Sequence, residues 1–382
     1  MNQRPVFALA FGCLAMLLNG SVADAGHPCI VLTAPKPGET VSEPVSLTLE
    51  DIKGSYKIPH IQCSHEIRVQ VEFPGNSVPS AQVCLILRGE IAGQRTVTPD
   101  RRRARFMGLP FGEYSIRVET PSAGGAPAGV LTAGPVGVGT VIAALGDSIT
   151  EGYHGRGFFH EPLDLRADLF PPEAVSRDGR NFPQFSPTTW HHKPSVNCFQ
   201  SWMTDLNNLL SERWGHPVFI ANEGWGGLTS GAYLKMMRED RGWQARMKQL
   251  QPQVWLIHLG VNDERHKVSP EEYAANMEQI VLTLMQEYGA RKDHIFVARP
   301  SYDYAQGAEA ILRAYISEID LLLGQHAVQR GPDFFAAYAR DRERLYGTDP
   351  VHPNIAGMEL MARLWAAAIF ALHPQGVRWH DR

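Results

Sequence analysis

Apolar positions along the chain follow two rhythms, which change over near residue 140. In residues 26–120, runs such as "HEIRVQVEF", "AQVCLILRG" and "GEYSIRVET" alternate apolar and polar side chains between Gly, Pro and Asn turns. A two-residue period bounded by turn formers predicts short antiparallel strands, and a succession of them predicts a small all-β sandwich of immunoglobulin-like type. The stretch "PSAGGAPAGVLTAGPVGVG" follows, and its Gly, Ala and Pro content predicts a linker over residues 121–139.

From residue 140 to 374 the pattern becomes strand–helix alternation. Apolar runs at "TVIAAL", "PVFIAN", "QVWLIHL", "HIFVAR" and "DFFAAY" have strand length. Between and after them lie segments with apolar residues at helical spacing, including "AEAILRAYISEIDLLLGQ" and "IAGMELMARLWAAAIFAL". The clearest helix is "SPEEYAANMEQIVLTLMQEYG": Ser269 is placed as N-cap, Pro270 suits the first turn, Glu272 completes a capping box and Gly289 marks the stop. Repeated βα units predict a mainly parallel sheet between helix layers, with ligands held at the C-terminal ends of the strands. One segment breaks the pattern. Residues 155–198 are Pro- and aromatic-rich, too long for an ordinary loop, and leave directly from the first predicted strand end, which marks an ordered insertion flanking a site.

The 382 residues suffice for two domains, and 44% hydrophobic with 20% charged content is that of a globular chain. A formal charge of −4 gives no basis for a nucleic-acid partner. The basic run "RRRAR" at 101–105 reads as a solvated hairpin loop. Residues 1–25 combine Arg4, an apolar stretch from Val6 to Leu18 and Ala23-Asp24-Ala25, the three parts of a secretory signal peptide. That stretch is too short to span a bilayer, so the expectation is a secreted or periplasmic protein with no stable membrane insertion after cleavage. Export makes disulfides among Cys29, Cys63, Cys84 and Cys198 chemically possible, in three alternative pairings.

The candidate chemistry sits at the predicted strand ends. "AALGDSITEGY" puts Ser148 just past the first strand of the α/β region, behind a Gly-Asp turn. A serine is a weak nucleophile unless a base adjoins it and a third group orients that base. "GTDPVHPN" offers both, with Asp349 three residues before His352 and prolines on either side to stiffen the loop. "NEGWGGLTSG" and "HLGVNDERH" end the next two strands and supply backbone N–H groups and Asn262 as donors for a developing oxyanion. Each element alone also reads as an ordinary turn; their joint placement at the strand ends is what points to acyl transfer. The adjacent His191-His192 lack a carboxylate at ligand spacing, so neither a metal nor another cofactor is expected.

Taken together and in order, "GDSIT", "NEGWGG", "GVND" and "DPVHP" resemble the four blocks of the SGNH/GDSL hydrolases over residues 140–372. The resemblance implies a three-layer α/β/α domain and cofactor-free hydrolysis of esters or thioesters. It implies Ser148 as nucleophile, Asp349 and His352 as its relay, and an oxyanion hole of Ser148 N–H, a glycine N–H and Asn262. The family's spacing points to Gly227, with Gly226 and Gly224 as adjacent alternatives. An α/β-hydrolase would instead carry a G-x-S-x-G elbow, and Thr150 stands where its second glycine belongs. Export, the β-rich region and the aromatic insertion suggest O-deacetylation of a carbohydrate; the alternatives are a lipolytic esterase or lysophospholipase, and a non-catalytic glycan-binding protein on the same fold. Trp225, Trp190 and Asp147 are assigned to the substrate side, with a small-molecule or polysaccharide ester as the partner.

Overall fold

Alternate residues of Thr140–Gly146 point to opposite faces, yet all seven are buried, the signature of a central parallel strand covered on both sides. In the computed structural model, which describes residues 31–34, 46–48, 55–57, 66–73, 79–121, 129–153 and 202–377, this strand lies second in a five-stranded parallel sheet. In chain order the strands are β1 (Val31–Ala34), β2 (Ser46–Thr48), β3 (Ser55–Lys57), β4 (Glu66–Glu72), β5 (Ala81–Leu87), β6 (Glu90–Val97), β7 (Arg103–Met107), β8 (Gly112–Thr120), β9 (Gly129–Val138), β10 (Thr140–Gly146), β11 (Val218–Gly224), β12 (Val254–His258), β13 (Ile295–Arg299) and β14 (Gln329–Asp333). The helices are α1 (Ser148–Glu151), α2 (Trp202–Trp214), α3 (Ser230–Glu239), α4 (Arg241–Leu250), α5 (Val261–Arg265), α6 (Pro270–Glu287), α7 (Ala308–His326), α8 (Phe334–Tyr338), α9 (Arg342–Leu345) and α10 (Ile355–Leu372).

The chain divides into two compact units. The larger holds the parallel sheet, in the order β11-β10-β12-β13-β14. Ile142 and Ala144 of β10 enter one core with Trp202, Leu206, Met361 and Trp365 from α2 and α10. Ala143 and Leu145 enter the other, with Tyr233, Met247, Ile280 and Leu312 from α3, α4, α6 and α7. That is a three-layer α/β/α domain, as the alternation predicts. Helix α10 is long and apolar enough to cross a bilayer by length and composition. Its Met358, Met361, Trp365 and Ile369 are nevertheless buried in the first of these cores.

Helix α6 forms as its caps dictate: the Ser269 side chain accepts from Glu272 N–H at 3.2 Å, and Gly289 takes a φ of +64° just beyond the end. The last sheet strand departs from expectation. "DFFAAY" is not a strand; Asp333 caps a helix there by accepting from Ala336 N–H at 2.9 Å, and Phe334–Tyr338 is α8. A short apolar run suits a buried helical turn as well as a strand. The true strand is the preceding "QRGPD", whose Pro332 is tolerated because β14 is the sheet's edge.

The smaller unit contains two antiparallel sheets, β1-β4-β7 and β6-β5-β8-β9. Inward residues alternate as read, with Val83 and Leu85 of β5 opposite Val118 and Ile116 of β8, all buried. Two boundaries differ from the sequence reading. Residues 129–138, read as linker, are strand β9 and join the second sheet; the Gly and Pro content hid the extended pattern of Val130, Thr132 and Val136. Strands β2 and β3 group with the larger unit, so the described part of 26–120 is not one body. Among the described residues Cys84 is a buried free thiol. The signal peptide, Cys29, Cys63, Cys198 and residues 155–198 with Trp190 and His191-His192 lie outside the described residues.

Candidate active site

Strand β10 must end abruptly to present a side chain at its tip, and glycine makes that possible. A Cβ on Gly146 would lie 2.1 Å from Thr150 Oγ1 and 2.7 Å from the His258 carbonyl oxygen. Asp147 is next, in extended conformation, and its carboxylate accepts from Ile149 N–H at 3.0 Å. It is therefore the N-cap of α1, and Ser148 is the first helical residue. Asp147 is about 1% exposed, so it does not face a substrate as the sequence reading assigned; it holds the turn. Burial pushes its carboxyl up to about 6, against the Ile149 hydrogen bond and the nearby His352.

Ser148 Oγ lies 2.9 Å from His352 Nε2. His352 Nδ1 lies 3.0 Å from Asp349 Oδ2, and Asp349 Oδ1 accepts from the backbone N–H of His352 at 2.9 Å and of Val351 at 2.7 Å. Burial raises the Asp349 carboxyl, but its hydrogen bond to His352, the histidine's charge and these two amides outweigh it and hold the group at about 2. A carboxylate at Nδ1 fixes the proton there and leaves Nε2 free to accept from serine. The loop itself is pinned: Tyr304 N–H donates to the Pro350 carbonyl at 3.2 Å, Tyr346 bridges to Pro353, and Asn354 caps α10. The ring of Tyr153 packs against His352, with centroids 4.6 Å apart.

The candidate oxyanion donors come from two other strand ends. Residues 225–228 make a turn closed by Leu228 N–H to the Trp225 carbonyl at 3.3 Å, and Gly227 at its third position has a φ of +83°, which glycine adopts without strain. Three glycines compete for the oxyanion role, and hydrogen bonding separates them. Gly224 N–H donates to Asn222 Oδ1 at 3.0 Å and Gly226 N–H to Glu151 Oε2 at 2.9 Å. Among the described residues the Gly227 N–H has no acceptor, and neither does the Ser148 N–H at the first position of α1. Gly226 instead leaves room for the Glu151 carboxylate, since a Cβ there would sit 2.6 Å from Glu151 Oε2.

Asn262 lies in α5, after Gly260, whose φ of +126° turns the chain out of β12. Its Nδ2 donates to the Leu228 carbonyl at 3.1 Å, which ties the amide to the glycine turn and leaves its second hydrogen for a ligand. Asp263 beside it is buried and accepts from Ser230 N–H and, at 2.5 Å, from Ser230 Oγ, locking α5 onto the start of α3. Removing one oxyanion donor costs about 10²- to 10³-fold in kcat. Asn262→Ala is expected to show that loss with little change in KM, as read by steady-state kinetics on a short-chain ester; a KM effect alone would make Asn262 a ground-state contact.

Ser148, His352 and Asp349 are thus brought together, and Gly227 and Asn262 join one another through Leu228. Trp225 is partly buried against the α3/α6 core and begins the glycine turn. Sequence reasoning did not single out Glu151, Asp263 or Tyr153. The i,i+3 spacing of Ser148 and Glu151 is the one signal that could have found the first. Two further strand ends hold polar groups too deep to reach a ligand. His258 is fully buried beside Ser301, with its Nε2 3.2 Å from Ser301 Oγ, and burial lowers it to about 3. Among the described residues no group of three or more His, Cys, Asp or Glu could hold a metal ion.

A sequence model of the GDSL-like lipase/acylhydrolase family matches residues 144–360, which contain every residue of this constellation. No curated protein matches the sequence. Solved structures similar to the chain include a lipase/acylhydrolase from Enterococcus faecalis, with 17% identity over 61% of this chain and 96% of that one and a TM-score of 0.41. A catalytic mutant of an acetylxylan esterase from Geobacillus stearothermophilus matches with 18% identity over 63% and 97% at a TM-score of 0.41. An aryl esterase from M. smegmatis matches with 15% identity over 61% and 99%, also at 0.41.

Proposed function

The chain belongs to the GDSL-like lipase/acylhydrolase family, and from that premise we propose that it is an exported serine esterase that removes short acyl groups, acetyl above all, from carbohydrate esters. The observation that carries the hydrolytic part is the continuous relay Ser148–His352–Asp349, at 2.9 and 3.0 Å, beside the unengaged Gly227 N–H. His352 Nε2 takes the Ser148 proton as Oγ bonds to the ester carbonyl carbon. The oxyanion then accepts from Ser148 N–H, Gly227 N–H and the Asn262 amide. His352 returns its proton to the leaving alcohol as the C–O bond breaks, and water repeats the path on the acyl-serine.

The carbohydrate part rests on sequence features: the leader-like N-terminus, the strand-rich smaller unit, read as an immunoglobulin-like accessory module, and an insertion bearing Phe158, Phe159 and Trp190. Rings of this kind stack on sugar faces. Trp225 adds a described ring of the same type at the head of the oxyanion turn.

The deciding experiment is hydrolysis of p-nitrophenyl acetate, butyrate and octanoate by the mature protein, with Ser148→Ala and EDTA controls. The expected result is serine-dependent, EDTA-insensitive turnover that falls with acyl length, followed by acetate release from an acetylated xylan. Turnover rising toward octanoate would replace the carbohydrate with a lipid ester. Turnover that survives Ser148→Ala would remove the relay from the reaction.

A further inference from the structure

Glu151 is a buried acid of the site that the acyl-transfer cycle above does not use. Glu151 closes α1, three residues after Ser148, and is about 3% exposed. It touches the end of β11 and the turn that follows at three points. Its Oε2 accepts from Gly226 N–H at 2.9 Å, its carbonyl oxygen accepts from Asn222 Nδ2 at 3.1 Å, and a Cβ on Gly224 would come within 2.1 Å of its backbone nitrogen. A carboxylate is costly to bury unless donors meet it, so its partner here is informative.

That partner is half of a soft turn. Gly226 is favoured by its close approach to the Glu151 carboxylate and Gly227 by its left-handed φ. Two adjacent glycines at its centre give the turn little stiffness of its own, and it carries the Gly227 N–H. Its Gly226 N–H is bound to a carboxylate on the same short helix that carries Ser148. We infer that Glu151 is a positioning residue of the oxyanion hole: by holding the Gly226 N–H it ties the Trp225–Leu228 turn to α1 and so sets the reach of the Gly227 N–H to the carbonyl that Ser148 attacks. The inference rests on the proposed roles of Ser148 and Gly227, and it assigns Glu151 no proton transfer.

The test compares Glu151→Gln, which keeps an acceptor oxygen at the same reach, with Glu151→Asp, which keeps the charge but withdraws the acceptor by one methylene. The readouts are kcat and KM on p-nitrophenyl acetate and the affinity of a short alkylboronic acid. That acid adds Ser148 Oγ to boron, as the proton passes to His352, and so mimics the tetrahedral anion. Glu151→Asp is expected to lower kcat about 10- to 100-fold and weaken boronate binding in proportion, with KM nearly unchanged. Glu151→Gln is expected to remain near wild type in both. Circular dichroism and thermal unfolding establish that each variant is folded; Glu151→Ala adds a third point where it folds. A folded Glu151→Asp with wild-type kcat and boronate affinity overturns the inference, as does a Glu151→Gln that loses as much as Glu151→Asp. In both cases a dead Ser148→Ala leaves the esterase reading standing. A Ser148→Ala enzyme that still turns over removes both.

Discussion

Ser148→Ala is expected to reduce ester turnover by about 10⁴- to 10⁶-fold while leaving the protein folded. The hydroxyl is the only atom lost. Its hydrogen-bond partner is His352 Nε2, and the α1 turn that carries the residue is held by Asp147, Glu151 and Gly152 rather than by Oγ. The Asp349–His352 pair keeps its hydrogen bonds in the variant, so no buried charge is uncovered. His352→Ala is expected to be about as severe, because nucleophile and base act as one unit and neither retains much rate without the other. The double variant should then be hardly worse than either single one. The checks are kcat on p-nitrophenyl acetate, near-UV circular dichroism, and titration of the reactive serine with a sulfonyl fluoride. A folded Ser148→Ala sample that keeps a substantial part of the rate would mean that the Ser148–His352–Asp349 relay does not carry the reaction.

The relay was legible because both its halves are local in sequence. A glycine-ended apolar run delivers Ser148, and Asp-x-x-His in a proline-stiffened loop delivers Asp349 and His352 together. The glycine proposed for the oxyanion hole was less legible. Gly224, Gly226 and Gly227 are equivalent as letters and differ in which N–H is already spent, which depends on Asn222 and Glu151 arriving from elsewhere. Asp147 was misassigned for a related reason: a charged residue beside a nucleophile reads as substrate-facing until its carboxylate is found capping Ile149. The strands β10 to β13 followed from apolar runs, whereas "DFFAAY" did not, because burial on all sides erases the period that separates strand from helix. Residues 129–138 show the converse, a glycine- and proline-containing segment drawn into a sheet by its neighbours. Local propensity decides where tertiary contacts are indifferent, and at these positions they are not.

Asp349→Asn separates orientation from charge more cleanly than any other change at the site. The new side chain keeps an oxygen for the backbone N–H groups of Val351 and His352, so the loop retains the two bonds that Asp349 Oδ1 now accepts. Toward His352 Nδ1, however, it can present an N–H, which favours the proton on Nε2. A protonated Nε2 cannot take the serine proton, and the imidazolium formed during attack loses its counter-charge. The expected loss in kcat is about 10⁴-fold, smaller than that of His352→Ala, since some base function survives. The same substitution carries a stability signature whose sign is fixed. The Asp349 carboxyl is held at about 2 in the folded protein, below its ordinary 3.8. The folded state therefore favours the charged form, and the stabilisation is fully present above the ordinary value and lost as pH falls through 2. The wild-type advantage in Tm over Asp349→Asn is expected to be constant near neutrality and to shrink steadily between about pH 4 and pH 2. Thermal unfolding across that window reads it directly. A gap that stays constant to pH 2 would mean that His352 and the two amides do not stabilise the carboxylate. A kcat loss equal to that of His352→Ala would mean that the histidine has no productive tautomer without it.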